Sequence, residues 1–189
     1  MRLFVAVNLP AAERRAAHAA TAPLRASALP VRWVADDALH ITLQFLGDVD
    51  EGRAAAIGAA LAPAVAQAKP FPLTLGGFGV FPDERRPKVF WLGVERHPAL
   101  ELLANDVARA LAPLGFAAEL RPFQPHLTIG RARREARAAA FRGLASLAAD
   151  VAWEAVIRVE HVDLMESTLG SAGATYRIVH RVALSVDGA

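Results

Sequence analysis

The chain of 189 residues contains no cysteine, which excludes a disulfide framework, a thiolate zinc site and a cysteine nucleophile together. Lysine is nearly missing too. Lys69 and Lys88 are the only two, so the basic charge is almost all arginine, and the formal net charge of +2 does not by itself demand a nucleic-acid partner. No stretch approaches the roughly 20 apolar residues that a membrane-spanning helix requires. The apolar run in "MRLFVAVNLP" is too short for a signal-peptide core and is followed by the charged "AAERRAAH". The expectation is a soluble cytoplasmic protein without a membrane partner. With 54% hydrophobic and 21% charged residues, the chain suits one compact domain or two small lobes that share a core.

Residues 2–8 read as a buried strand, and Pro10 opens a helix that Pro23 kinks or ends. Strands are expected over 31–34 and 40–46, and a helix over 51–68 with Pro63 as an interruption. "FPLTLGGFGVF" and "PKVFWLGV" form a strand pair across the polar turn "PDERR", and "HPALELLANDVARALAPLG" is a helix stopped by Gly115. "RPFQPHLTIGR" is a strand approached through two prolines, and "REARAAAFRGLASLAAD" is helix or loop. Two long strands, 153–166 and 174–186, follow. Within the first, the apolar phase slips near Glu160 and His161, which reads as a β-bulge. Paired strands with helices between them indicate an α+β fold with largely antiparallel sheets. No linker separates the halves, so residues 1–189 are expected to form a single domain.

"LHITLQFLG" and "PHLTIGRAR" share the pattern His, apolar, Thr, apolar, and His126 follows His40 by 86 positions. Alternation along a strand puts His40 and Thr42 on one face, with Ile41 and Leu43 anchored in the core. His126 and Thr128 repeat this above Leu127 and Ile129. By the same alternation Gln44 falls on the His-Thr face, and Arg131 falls away from it unless Gly130 turns the chain. Two such strands across a cleft would present two imidazoles, one able to remove a proton from a nucleophile and one to deliver a proton to a leaving group. The two threonine hydroxyls suit the non-bridging oxygens of a phosphate. The pattern indicates phosphodiester chemistry with neither metal nor other cofactor.

The paired motifs resemble the signature of the 2H phosphoesterase superfamily. The chain as a whole, through "RLFVAVNLP", "LHITLQFLG", "VFWLGV", "RPFQPHLTIGR" and "ESTLGSAGATYRI", is similar to that superfamily's RNA 2′,3′-cyclic phosphodiesterase branch, also called 2′-5′ RNA ligase. The resemblance implies a bilobal architecture: two pseudo-symmetric antiparallel β-sheets with outer helices, each lobe contributing one motif to a central cleft. It implies hydrolysis of a 2′,3′-cyclic phosphate to a 2′-phosphomonoester, with joining of RNA ends through a 2′-5′ bond in the reverse sense. His40 then matches the proton donor, His126 the proton acceptor, Thr42 and Thr128 the phosphate-binding hydroxyls, and Arg131 a basic residue that contacts phosphate. The implied partners are RNA with 2′,3′-cyclic phosphate ends, tRNA fragments among them, or small nucleotides, acted on by a monomer. Rival readings are an enzyme of the same superfamily for small cyclic nucleotides or ADP-ribose cyclic phosphate, and a non-catalytic module that binds RNA ends or nucleotides.

Other features carry less. His18, His97, His161 and His180 have no partner at metal-ligand spacing. The arginine-rich run 131–142 suits either RNA or solvent. Trp33, Phe45, Phe78 and Trp91 are candidates for base stacking, with the core as the default place for most of them. "LGGFGV" lacks the Lys-Ser/Thr of a phosphate-binding loop.

Overall fold

In the computed structural model, residues 1–170 and 173–185 are described. The first strand, β1 (Arg2–Asn8), buries five consecutive residues, as a strand covered on both faces must. Eight more follow: β2 (Val31–Trp33), β3 (His40–Asp48), β4 (Phe71–Phe81), β5 (Val89–Val94), β6 (His126–Ala132), β7 (Glu154–Val159), β8 (His161–Gly170) and β9 (Gly173–Ala183). All pairs are antiparallel, in the order β7-β4-β5-β6-β3-β1-β8-β9, with β2 also beside β6. The central strands β3 and β6 meet at one residue pair, Ile41 opposite Leu127. On one side of that pair lies a sheet from the middle of the chain. On the other lies a sheet from its two ends.

The chain passes from β7 to β8 through Glu160 alone, although five strands separate them in the sheet order. In a flat sheet that step would cover roughly 29 Å at about 4.8 Å per strand, and one residue spans only about 3.5 Å. The sheet is therefore strongly curled, and β7 returns to within reach of β8. The phase slip at Glu160 is this crossing rather than the bulge that the apolar pattern suggests; both reverse the buried face.

Helices cover the face of the sheet opposite the motifs. In α4 (Pro98–Leu111), Leu100, Leu103, Ala104, Val107 and Leu111 are buried at helical spacing, and the His97 ring accepts a hydrogen bond from the Ala99 N–H as the cap. It packs on α3 (Ala54–Val65), which keeps Pro63 in its last turn and lays Gly58 against the His180 ring. The helix expected after Pro10 is instead two, α1 (Ala11–Ala20) and α2 (Ala22–Ala26). At their junction the Thr21 hydroxyl bonds the Ala17 and His18 carbonyls, while Pro23 supplies no N–H. Residues 134–150 give only a short 3-10 turn and α5 (Leu144–Ala149). The strand expected from Arg121 starts at His126, because Pro122 and Pro125 remove ladder donors before it. The last residue of the strand expected over 174–186 lies outside the described residues. Among the described residues no helix is long and apolar enough to cross a membrane.

Candidate active site

His40 and His126 are the first residues of β3 and β6, and Ile41 and Leu127, the residues after them, are the pair at which those strands meet. Antiparallel register about that pair sets His40 across from Thr128 and Thr42 across from His126. Burial alternates identically along the two strands: Ile41 and Leu127 are fully buried, while His40, Thr42, His126 and Thr128 are partly exposed on the other face. The structure thus brings both expected His-Thr pairs to one place.

Each imidazole is fixed in the same way. Nδ1 of His40 lies 2.8 Å from the Ala38 carbonyl, and Nδ1 of His126 lies 2.7 Å from the Gln124 carbonyl. A carbonyl only accepts, so Nδ1 carries the proton and Nε2 is left for the cleft. Packing holds the rings. His40 sits 4.7 Å from Phe4 and 5.0 Å from Tyr176 between ring centres, and His126 sits edge-on to Phe81 at 5.2 Å. Burial lowers the His40 pKa to about 4, with further lowering by Arg131 and His126 partly opposed by the Ala38 carbonyl. Burial also lowers His126, again aided by Arg131.

Arg131 therefore stands on the motif face, contrary to simple alternation, and the cause is local. Against β5, Thr128 pairs with Trp91 and Gly130 with Phe90, so Ile129 is an extra residue. This bulge buries Ile129 and Gly130 in succession and returns Arg131 to the face of His126 and Thr128. The first motif does the same. Thr42 pairs with Ala6 and Gln44 with Val5, leaving Leu43 extra. Gln44 is thus turned inward, away from the cleft side expected of it; it is 2% exposed, and its amide donates to the Ala117 carbonyl at 3.2 Å. Phe45 takes the place that Arg131 occupies in the second motif and is 54% exposed on the cleft face. The repeat thus extends to backbone irregularities.

Of the other aromatic candidates, Trp91 shares the face of Thr128, whereas Trp33 and Phe78 pack on buried Phe90. Sequence reasoning missed Asn8, paired with His40 in the β1–β3 register, and Asp163, which is 1% exposed. The Asp163 carboxylate accepts from the Asn8 amide at 2.7 Å and from Arg181 Nε and Nη2 at 2.7 and 2.8 Å. These residues line a cavity of about 550 Å³ on the His40 side, together with Arg14, Arg158 and Tyr176. An acidic residue in the apolar run of β8 was the available signal. Among the described residues no group of three or more His, Asp or Glu side chains is placed to hold a metal ion.

Both His-Thr pairs thus stand on the cleft face of pseudo-symmetric strands in an α+β fold of phosphoesterase type. The sequence profile described as the 2′-5′ RNA ligase superfamily matches residues 10–170, and the chain belongs to that family. It is 30% identical over 181 residues to the RNA 2′,3′-cyclic phosphodiesterase of Thermotoga maritima, covering 95% of this chain and 94% of that one. A protein of the same name from Geobacillus stearothermophilus is 46% identical over 106 residues, which are 56% of this chain and 34% of its own length. Among solved structures, E. coli LigT complexed with 3′-AMP superposes with a TM-score of 0.74 at 28% identity over 97% of both chains.

Proposed function

We propose that this chain is a single-domain, two-lobed phosphodiesterase that opens RNA 2′,3′-cyclic phosphate ends to 2′-phosphomonoesters. The observation that carries the reading is the meeting of β3 and β6 at Ile41 and Leu127, which sets two imidazoles and two hydroxyls around one point. His126 Nε2 takes a proton from water as the water oxygen bonds to phosphorus. His40 Nε2 gives a proton to the departing 3′ oxygen, and the phosphate stays on the 2′ oxygen. Thr42, Thr128 and Arg131 hold the non-bridging oxygens, whose charge grows as the bond breaks. Exposed Phe45 offers a ring for the adjoining base. A 5′-hydroxyl in place of water would give a 2′-5′ linkage through the same steps. The protein acts as a cytoplasmic monomer on RNA ends such as tRNA fragments.

Incubation with an oligonucleotide ending in a 2′,3′-cyclic phosphate, in the presence of EDTA, should yield a 2′-phosphate only. A 3′-phosphate would reverse the leaving group, and dependence on added metal would discard the two-histidine mechanism.

The pH dependence follows from the lowered histidines. With the cleft empty, both are neutral at pH 7, so the base is ready and the acid lacks its proton. Profiles of kcat/KM report the free enzyme and should peak below the ordinary histidine value of about 6.5, falling as pH rises and the acid deprotonates. A bound anionic phosphate favours imidazolium, so the kcat profile should lie at higher pH. Arg131→Ala removes a cation that lowers both histidines, and should shift the kcat/KM profile upward in pH. Coincident kcat and kcat/KM profiles would contradict this account.

A further inference from the structure

The lobes differ in one respect that the repeat does not predict. Beyond the Ile41–Leu127 pair, the free side of β6 is taken by β2, in the register Val31–Ala132, Arg32–Arg131 and Trp33–Gly130. Residues directly opposite in an antiparallel pair project to the same face. A Cβ added to Gly130 would meet Val31 Cγ1 at 2.7 Å and the Trp33 ring at 2.6 Å, so Val31 and Trp33 lie on the core side. Arg32, between them, is exposed on the other face, where its cross-strand partner Arg131 stands in line with Thr128 and His126. Two guanidinium side chains thus rise from Cα atoms about 5 Å apart, and like charges directly opposite each other repel. Neither forms an ion pair with a carboxylate among the described residues, whereas Arg96, Arg109, Arg158, Arg177 and Arg181 all do. Such a pair is relieved by phosphate charge bound against it.

We infer that Arg32, beside the Arg131 that holds the cyclic phosphate, forms a second phosphate subsite, which takes the phosphodiester on the 5′ side of the nucleotide bearing the cyclic phosphate. The inference rests on the cyclic phosphodiesterase reading. Arg32 lies opposite Arg131, and across the bulge Thr128 and Arg131 face Trp91 and Val89, two residues apart on β5, so a phosphate held by Thr128 and its neighbour held by Arg32 are roughly 7 Å apart along the strand, about one nucleotide of extended strand. Guanidinium suits the task because its planar donors meet phosphate oxygens two at a time. In the other lobe the position of Arg131 is held by Phe45, and among the described residues no extra strand pairs with the free side of β3 beyond Ile41. The consequence is selectivity for RNA ends over cyclic mononucleotides.

The test compares kcat/KM on three substrates: cytidine 2′,3′-cyclic phosphate, the cytidine dinucleotide with the same end, and that dinucleotide with a neutral methylphosphonate linkage. The natural dinucleotide should exceed the neutral one by about tenfold, the usual scale of a charge-assisted contact. Arg32→Gln should bring that ratio close to one, and Arg32→Lys should keep part of it. The slope of log kcat/KM against log salt on the natural dinucleotide should become shallower by about 0.7 in Arg32→Gln. Equal turnover of the two dinucleotides by the unmodified protein, or an Arg32→Gln loss of equal size on all three substrates, would overturn the subsite alone. No turnover of any of the three would overturn the hydrolase reading, and the subsite with it.

Discussion

His40→Ala and His126→Ala should each lower cyclic-phosphate turnover by about 10³-fold or more, within the range that a positioned acid or base contributes. Both rings are partly exposed and bond only a local carbonyl, so each variant should remain folded by circular dichroism. The double variant should be little worse than either single one, because an acid and a base that act in one step are not independent. Single-turnover assays on a cyclic-phosphate oligonucleotide decide the matter. Near-full activity in either soluble variant would end the two-histidine mechanism.

The largest loss of stability is expected from Asp163→Ala. Its carboxylate is buried and accepts three hydrogen bonds, two from Arg181 and one from Asn8. Truncation takes its acceptor from the half-exposed Arg181 guanidinium and its shorter hydrogen bond from the Asn8 amide, a change that costs about 2 kcal/mol. The urea midpoint should fall accordingly with an unchanged m-value. Removing both charges with apolar groups of similar size, Asp163→Leu with Arg181→Met, should recover much of the loss, because the Asp163 carboxylate, the buried half of the pair, is itself costly to desolvate. If the double substitution is as unstable as Asp163→Ala, the ion pair is not the cause.

The reactive face was legible before the fold because strand alternation is a rigid rule, and two copies of His-x-Thr obey it. Gln44 and Arg131 were misplaced by that same rule. Each follows a residue inserted by a bulge, and a bulge leaves no mark on composition when the extra residue is as apolar as Leu43 or Ile129. Gly130 was the one hint, since only a residue without a Cβ fits between Val31 and Trp33. The apolar slip at Glu160 was visible, but a bulge and a change of sheet reverse the buried face alike, so the pattern could not tell them apart. Asn8, Asp163 and Arg181 come from β1, β8 and β9, and only pairing between the two ends of the chain makes them neighbours. Local pattern has no access to such contacts. The family, by contrast, rested on the motifs and on stretches along most of the length.

β1 pairs with β3 nearby and with β8 across almost the whole chain, Arg2 lying opposite Ser167. Pairings of that span close late, because a long loop must be ordered before any contact compensates for it. The sheet bearing His126 draws β4, β5, β6 and β7 from one continuous stretch, whereas the sheet bearing His40 waits for β8 and β9. The two histidines share a motif but not a topology: the sheet under one is drawn from a continuous stretch of chain, and the sheet under the other is complete only when strands from both ends pair.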